Sequence, residues 1–390
     1  MKQETSRVLL ALIRYAVKKT PLTDEEKALF SAEMLPELYS VSREQDIVHL
    51  VGYALKRNGM LTDGDAEIIK KLDKQHPLAI FRCERLRYDV SEICAALERA
   101  EIDYLPLKGT VIRDKYPEGW MRTSCDIDIL VRENELERAA ELLVKEKGYR
   151  REELGSHDLS MFSPEGVHLE LHYSLIEDDV IGRSDEPLDH VWSYAAPIEN
   201  GGHGHVMSDD MFYYYHIAHM AKHFVQGGCG TRPLIDLWVL NNRVEHDGEK
   251  RRALLEKGGL LTFAENAEML SRVWFGEDEH TETTLQMQEY LFDGGVYGNM
   301  TNRVAVQHVK SGSKFRYLLS RVWIPYETMR FYYPSIGNRK FLLPFYQVRR
   351  WFRLLFCGGA KRSVQEIGFT GSITKESTDM TAEMLKNIGL

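Results

Sequence analysis

Two aspartates interrupt an otherwise apolar stretch in the first third of the chain. The stretch CDIDILV, residues 125–131, alternates as a β-strand does, which turns Asp126 and Asp128 to one face and Ile127 and Ile129 to the other. Two carboxylates about 7 Å apart along a strand repel each other, and their burial is costly without a positive partner. A divalent metal ion is the simplest such partner, so this stretch predicts a metal site.

A second stretch, VHLELHYSL at residues 167–175, repeats the pattern, with Glu170 and His172 on one face and apolar side chains on the other. If the two strands are neighbours, Glu170 lies beside Asp126 and Asp128. Three such carboxylates suit Mg²⁺, which keeps waters and substrate phosphates as its other ligands. Two ions can clamp the attacking and leaving oxygens of a phosphoryl displacement. Each motif alone is common on solvated edge strands, and their combination favours a catalytic site.

A glycine precedes the first acidic strand in LPLKGT, where a short strand meets a short helix. Gly109 allows the backbone to approach an anion, and Thr110 offers a hydroxyl group. Lys108 and Arg122 add positive charge on either side. A tight turn is the commoner role of an isolated glycine, but its position upstream of the acidic strand favours a phosphate-binding loop.

Together these motifs resemble the DNA polymerase β-like nucleotidyltransferase superfamily: a strand, a glycine with a small hydroxyl residue, a helix, an Asp-x-Asp strand and a later acidic strand residue. More closely, LPLKGTVIRDKY, MRTSCDIDILV and HLELHYSL look like an uncharacterised bacterial nucleotidyltransferase family. The stretches HIAHMAKHF, PLIDL and YPSIGNRKFLLPFYQVRRW are similar to the helical C-terminal half of that family. The resemblance extends from about residue 80 to 355.

The resemblance implies transfer of a nucleoside monophosphate from an NTP to an acceptor hydroxyl, with release of pyrophosphate. By position, Asp126 and Asp128 match the residues that hold two Mg²⁺ ions. Glu170 matches the third acid, which ligates one metal and can accept the proton of the acceptor. Gly109 and Thr110 match the pair that meets the triphosphate. The chain departs from the superfamily in having Gly-Thr for the usual Gly-Ser, and in a longer gap to Asp126.

Three histidines, His216, His219 and His223, fall on one face of a predicted helix, and Asp236 follows on the next. They could form the transition-metal site of a phosphohydrolase, or they could line the nucleotide cleft as a polar helix face. The resemblance favours the cleft. The residues that we expect to contact the nucleotide are Lys108, Gly109, Thr110, Arg122, His172, His219, His223, Arg232 and Asp236.

The order of elements predicts an α+β fold: a small mixed β-sheet nucleotidyltransferase core of order βαβαββ, with helices on one face. Residues 1–100 and 201–390 are predicted to be helical segments flanking a core at 101–200. Thr23 and Glu26 form a capping-box pattern. A core helix is expected to begin with caps from Asn134 and Glu137 and to end at Gly148.

Composition narrows the possible partners and the compartment. A net charge of −9 and a pI near 5.9 argue against a protein that coats nucleic acid, and nothing suggests that bases are read. Five scattered cysteines without a CxxC pair, no signal peptide and no apolar run of membrane-spanning length predict a cytoplasmic protein. The basic aromatic stretch RKFLLPFYQVRRWFRLLF could be a membrane-surface helix, but a core-packed helix with exposed arginine heads is preferred.

The acceptor is left open among a small molecule, a peptide, a protein and a tRNA end. Two other functions compete with nucleotidyl transfer. One is a metal-dependent phosphohydrolase built on the histidine helix. The other is a nucleotide-binding module without turnover. The complete set of Asp126, Asp128 and Glu170 argues against loss of catalysis.

Overall fold

The computed structural model describes residues 3–176, 186–276, 278–295, 302, 306, 323–326, 329–330, 333–356 and 375–390. The N-terminal segment is helical, as predicted. Its helices are α1 (Gln3–Lys18), α2 (Asp24–Leu29), α3 (Leu35–Glu44), α4 (Val48–Arg57), α5 (Ala66–Asp73) and α6 (Gln75–Arg99). The capping box at α2 is confirmed: Thr23 accepts from the backbone N–H of Glu26, and the Glu26 carboxylate accepts from that of Thr23.

A five-stranded mixed sheet follows. Its strands are β1 (Tyr104–Pro106), β2 (Asp126–Val131), β3 (Arg150–Leu154), β4 (Asp158–Phe162) and β5 (His168–His172). Their order in the sheet is β1-β2-β5-β4-β3, in which β2 and β5 run parallel and the other neighbours are antiparallel. Helix α7 (Lys108–Ile112) connects β1 to β2, and α8 (Leu136–Lys147) connects β2 to β3. The predicted small mixed α+β sheet is confirmed, with β3 as an additional edge strand.

The apolar face of the sheet is the predicted one. Ile127, Ile129, Leu169 and Leu171 are fully buried and belong to one hydrophobic cluster with residues of α6 and α8. The acidic face is also covered, because residues of helix α10 (Asp209–Val225) line a cavity together with the carboxylates. The prediction of helices on one face is therefore wrong. Because a site built on a sheet face must be shielded from bulk water, the second helical layer is what turns this face into a cavity.

The start of α8 also differs from the prediction. Gly148 ends the helix in the left-handed conformation, with φ of +69°, as expected. At the other end a 3₁₀ turn, Glu133–Glu135, leads directly into the helix, and no side chain caps it. Asn134 therefore lies inside a helical turn, where its side chain cannot take the N-cap role that the sequence suggested for it and Glu137.

Helices dominate the C-terminal half, as predicted. After α9 (Glu186–Asp189) and the hairpin β6 (Ala195–Pro197) and β7 (His205–Met207), they are α10, α11 (Arg232–Asn242), α12 (Gly248–Lys257), α13 (Leu261–Phe275), α14 (Glu282–Gly294), α15 (Leu343–Phe356) and α16 (Lys375–Asn387). Residues of α1, α4, α10, α11 and α13 share one hydrophobic cluster. The N- and C-terminal helices thus pack together and hold α10 against the acidic face of the sheet.

The predicted core packing of the basic aromatic stretch is only partly confirmed. Tyr346 is buried in a small cluster, and the Gln347 amide donates to the Ile324 carbonyl at 2.6 Å. In contrast, Phe345 and Phe352 are exposed among the described residues. None of the described helices combines the length and the apolar character needed to cross a membrane.

Candidate active site

The three predicted carboxylates come together on the paired strands β2 and β5. In the parallel register, Asp126 lies opposite His168 and Asp128 lies opposite Glu170. Because side chains of period two share a face, the carboxylates of Asp126, Asp128 and Glu170 all line one cavity. The adjacency that the sequence suggested is therefore present, and the parallel pairing of β2 with β5 is its structural cause.

Two cationic or protonatable side chains contact the carboxylates of Asp128 and Glu170. Lys108 Nζ lies 2.8 Å from Asp128 Oδ1 and 3.7 Å from Glu170 Oε2. His172 Nε2 lies 3.0 Å from the same Asp128 oxygen and 3.4 Å from the same Glu170 oxygen. His172 Nδ1 is buried without a hydrogen-bond partner among the described residues, so the ring is oriented through Nε2.

These contacts determine the protonation of the site. Burial would raise the pKa of Asp128, but the charge of Lys108 and the hydrogen bond from His172 hold it well below its usual range. The pKa of Glu170 is lowered, chiefly by the hydrogen bond from His172. The pKa of Asp126 is raised, first by burial and then by the negative charge of Asp128. At Asp126, therefore, burial and the negative charge of Asp128 together outweigh the favourable charge of Lys108.

The donor set fits a hard divalent cation. Asp128, Glu170 and His172 each offer a ligand atom, and these atoms lie within 4.8 Å of one another. Asp126 adds a further carboxylate on the same wall of the cavity. Carboxylate oxygens are the ligands that Mg²⁺ prefers, and the raised pKa of Asp126 marks the place where additional positive charge is most favourable.

The loop ahead of α7 approaches the carboxylates closely. Lys108 opens the helix with φ of +44°, a left-handed conformation that is unfavourable for any residue except glycine. A Cβ atom placed on Gly109 would lie 3.2 Å from the side chain of Ser124. The Thr110 hydroxyl is buried and has no hydrogen-bond partner among the described residues. Gly109 thus permits tight packing beside the cavity, whereas Thr110 does not line it.

The cavity between the sheet and α10 has a volume of about 380 Å³. Ten of the twelve predicted site residues line it, the exceptions being Thr110 and His172. His172 is buried behind Asp128 and Glu170, where it contacts the carboxylates and not the cavity. The predicted residues on the cavity wall are Lys108, Gly109, Arg122, Asp126, Asp128, Glu170, His219, His223, Arg232 and Asp236.

Arg122 and Asp236 are bound to each other. Arg122 Nε donates to both Asp236 oxygens, at 2.8 and 2.9 Å, and the Tyr116 hydroxyl donates to Asp236 Oδ1 at 2.6 Å. Arg232 Nη1 contacts Asp46 Oδ2 at 2.9 Å and donates to the Thr123 carbonyl at 2.9 Å. Both arginines therefore connect the segment ahead of β2 to the helices, and both also line the cavity.

The histidines of α10 are held as neutral rings. His216 Nε2 bonds the Pro233 carbonyl at 2.9 Å, and the rings of His219 and His223 meet edge to face at 4.4 Å. Burial lowers the pKa of His219 well below its usual value, and burial with the charge of Lys222 lowers that of His223 to about 4. Among the described residues, these histidines do not form a metal-binding group with any carboxylate or thiol.

Several cavity residues were not predicted. Lys222, Tyr215, His157 and Cys229 line the cavity, and burial followed by the charge of Lys108 lowers the pKa of Lys222 to about 8. Tyr215 could have been found, because Tyr215 and His219 are four residues apart on one helix face. His157 could not, since it enters the site only through the pairing of β4 with β5.

Comparison with known proteins gives one family. A family model described as an uncharacterised nucleotidyltransferase matches residues 31–276, a range that contains all five strands of the main sheet and helix α10. Searches of the curated proteins and of the solved structures gave no match.

Proposed function

Because the chain belongs to the uncharacterised nucleotidyltransferase family, we propose that it transfers a nucleoside monophosphate from an NTP to an acceptor hydroxyl and releases pyrophosphate. The observation that carries this proposal is the convergence of Asp126, Asp128 and Glu170 from two paired strands onto the wall of one cavity. Three carboxylates at such a place favour a substrate that arrives with divalent metal ions, as a nucleoside triphosphate does.

Asp126, Asp128 and Glu170 are the residues that would hold Mg²⁺, and two ions are expected from the resemblance to the polymerase β-like superfamily. When bound, the metal neutralises phosphate charge and polarises the phosphoryl group that is attacked. His172 keeps the Asp128 and Glu170 carboxylates in place through its hydrogen bonds, as residues behind metal ligands commonly do. Positioning and charge neutralisation then supply most of the rate enhancement.

The triphosphate is expected to lie along the cationic side of the cavity. Lys108, Lys222 and Arg232 all reach its wall, and Gly109 lies on the same wall. The acceptor hydroxyl would approach from the carboxylate side. There Glu170, whose lowered pKa keeps it ionised at neutral pH, is the group proposed to take the proton.

The acceptor is proposed to be a small molecule, a peptide, a protein or a tRNA end, and the compartment is proposed to be the cytoplasm. The four cysteines among the described residues are free thiols, which agrees with a reducing compartment. A phosphohydrolase centred on the histidine helix is less favoured, because within the described residues the group that could hold a metal is Asp128, Glu170 and His172 on the strands, and it contains no residue of α10.

The test is transfer of label from NTPs labelled at the α-phosphate, each base separately, with Mg²⁺ and a cell lysate as the source of acceptors. Asp126→Asn/Asp128→Asn protein is compared with wild type and with Asp114→Asn. Asp114 is an exposed aspartate that pairs with Arg87 and does not line the cavity. We expect label in a new species with wild type and Asp114→Asn, and none with the double variant.

Label that enters no species with any base, while NTPs bind in a metal-dependent way, would favour a binding module over a transferase. Equal hydrolysis of NTPs by wild type and the double variant would show that the carboxylates are not catalytic. His219 and His223 would then be the candidate catalytic residues.

A further inference from the structure

The ammonium group of Lys108 occupies the position between two of the proposed metal ligands. Its Nζ lies 2.8 Å from Asp128 Oδ1 and 3.7 Å from Glu170 Oε2. The Lys108 side chain is 20% exposed and reaches this position from the cavity wall. A protein cation therefore already balances part of the charge that a metal ion would balance.

Lys108, His172 and a metal ion compete for the limited bonding capacity of the Asp128 carboxylate. A carboxylate oxygen offers two lone-pair sites for hydrogen bonds or metal coordination. Asp128 Oδ1 is contacted by both Lys108 Nζ, at 2.8 Å, and His172 Nε2, at 3.0 Å. A metal ion on this oxygen must displace one of the two donors, and an ion on the other oxygen of the same carboxylate would still lie close to the ammonium. Like charges at such short range repel strongly inside a protein.

Lys108 is the donor that can move. His172 belongs to strand β5, its side chain is 2% exposed, and its ring lies behind the carboxylates. Lys108 lines the cavity on a long, flexible stem. Its backbone is fixed in the left-handed region, at φ of +44°, immediately before Gly109. Strained backbone conformations of this kind persist at sites where a side chain must be aimed.

We propose that Lys108 is the counter-ion of the metal site when no metal is bound, and that binding of the metal with the NTP transfers its ammonium to the triphosphate. This inference rests on the proposed function and names a role for one residue within it. Lys108 opposes metal binding in the absence of nucleotide, because the ion displaces its ammonium from Asp128 and Glu170 and leaves that cation in need of an anionic partner. The triphosphate supplies that partner, so metal and nucleotide bind cooperatively, and the coupling is reciprocal.

The test measures binding without turnover. Titration calorimetry gives the affinity for Mn²⁺ and Mg²⁺ in the absence of nucleotide, for wild type, Lys108→Met and Lys115→Met. Lys115 carries the same charge, lies seven residues further along, pairs with Asp209 at 3.4 Å and does not line the cavity. We expect Lys108→Met to bind the metal about tenfold more tightly than wild type or tighter still, and Lys115→Met to bind it as wild type does.

The second arm uses an NTP analogue with a methylene bridge between the α- and β-phosphates, at saturating Mg²⁺. We expect Lys108→Met to bind the analogue about tenfold more weakly, because the triphosphate has lost a cation. Lys108→Gln keeps a hydrogen-bond donor without the charge. It should follow Lys108→Met in both arms, and it serves as the test if Lys108→Met does not fold.

Metal binding by both charge-removing variants that is no tighter than that of wild type would overturn the proposal. Tighter metal binding with unchanged affinity for the analogue would overturn the transfer to the triphosphate. Neither result depends on turnover. Failure of the label-transfer experiment with wild type would reject nucleotidyl transfer, while the metal titrations would still report on the role of Lys108.

Discussion

The ion pair between Arg122 and Asp236 offers a direct test of whether cavity residues bind substrate or hold the protein together. The sequence predicts that both residues contact the nucleotide. In the folded chain their side chains are only 14% and 2% exposed. Their ion pair connects the segment that precedes β2 to helix α11. The proposed perturbation is Asp236→Asn, which keeps the shape of the side chain and removes its charge.

The expected loss of stability can be worked out from the contacts. Asp236 accepts from Arg122 Nε through both oxygens and from the Tyr116 hydroxyl. The asparagine retains one oxygen acceptor, but its NH₂ group then faces the Arg122 N–H groups, and the guanidinium keeps the Thr123 carbonyl as a neutral acceptor. Breaking a buried ion pair costs about 3–5 kcal/mol. Because one acceptor remains, we expect a loss near the lower end, about 3 kcal/mol in the free energy of unfolding.

Urea unfolding followed by tryptophan fluorescence measures this difference. The matched control is Glu146→Gln, which neutralises the carboxylate of an exposed pair with Arg99 at 3.1 Å and should change stability by less than about 1 kcal/mol. Affinity for an NTP analogue is measured in parallel on folded protein. A loss below about 1 kcal/mol for Asp236→Asn, together with markedly weaker nucleotide binding, would refute the structural role and support the role predicted from sequence.

Two further predictions concern pH. The pKa of Lys222 is lowered to about 8, so its charge is lost as pH rises through that value, and affinity for an NTP analogue should fall about tenfold between pH 7 and 9. Lys222→Arg should abolish this dependence, and an unchanged profile in that variant would exclude Lys222 as its source. Burial lowers the pKa of His49, which bonds the Met121 carbonyl, to about 4. The unfolded chain therefore binds the proton first as pH falls from 7 to 5, and the folded state should lose about 2 kcal/mol that His49→Gln does not lose. Urea unfolding at both pH values measures the difference, and equal losses in the two proteins would contradict it.

Prediction from sequence worked best where the pattern is local. The alternation of β2 and β5 fixes which side chains share a face, because the period of a strand is two residues, and the faces of Asp128 and Glu170 are as predicted. The end of α8 at Gly148 follows from residues adjacent in the chain.

Local patterns failed where neighbours in space decide. Strand β3, RREEL, is exposed along its whole length and has no alternation, so only its pairing with β4 makes it a strand. The start of α8 lacks the predicted caps because the preceding 3₁₀ turn already directs the chain into the helix.

The sequence by itself determined the acidic face of the sheet, the polar face of α10 and, through the resemblance, the family that the comparison confirms. Only the tertiary structure decided which of these polar groups meet. It bonds Lys108 to Asp128, places His172 behind the carboxylates, and pairs Arg122 with Asp236 across 114 positions of the chain. The physical reason is that the period of a strand or helix assigns a side chain to a face, whereas its partner depends on how separate elements pack. A buried charge then bonds to whichever group that packing brings within reach.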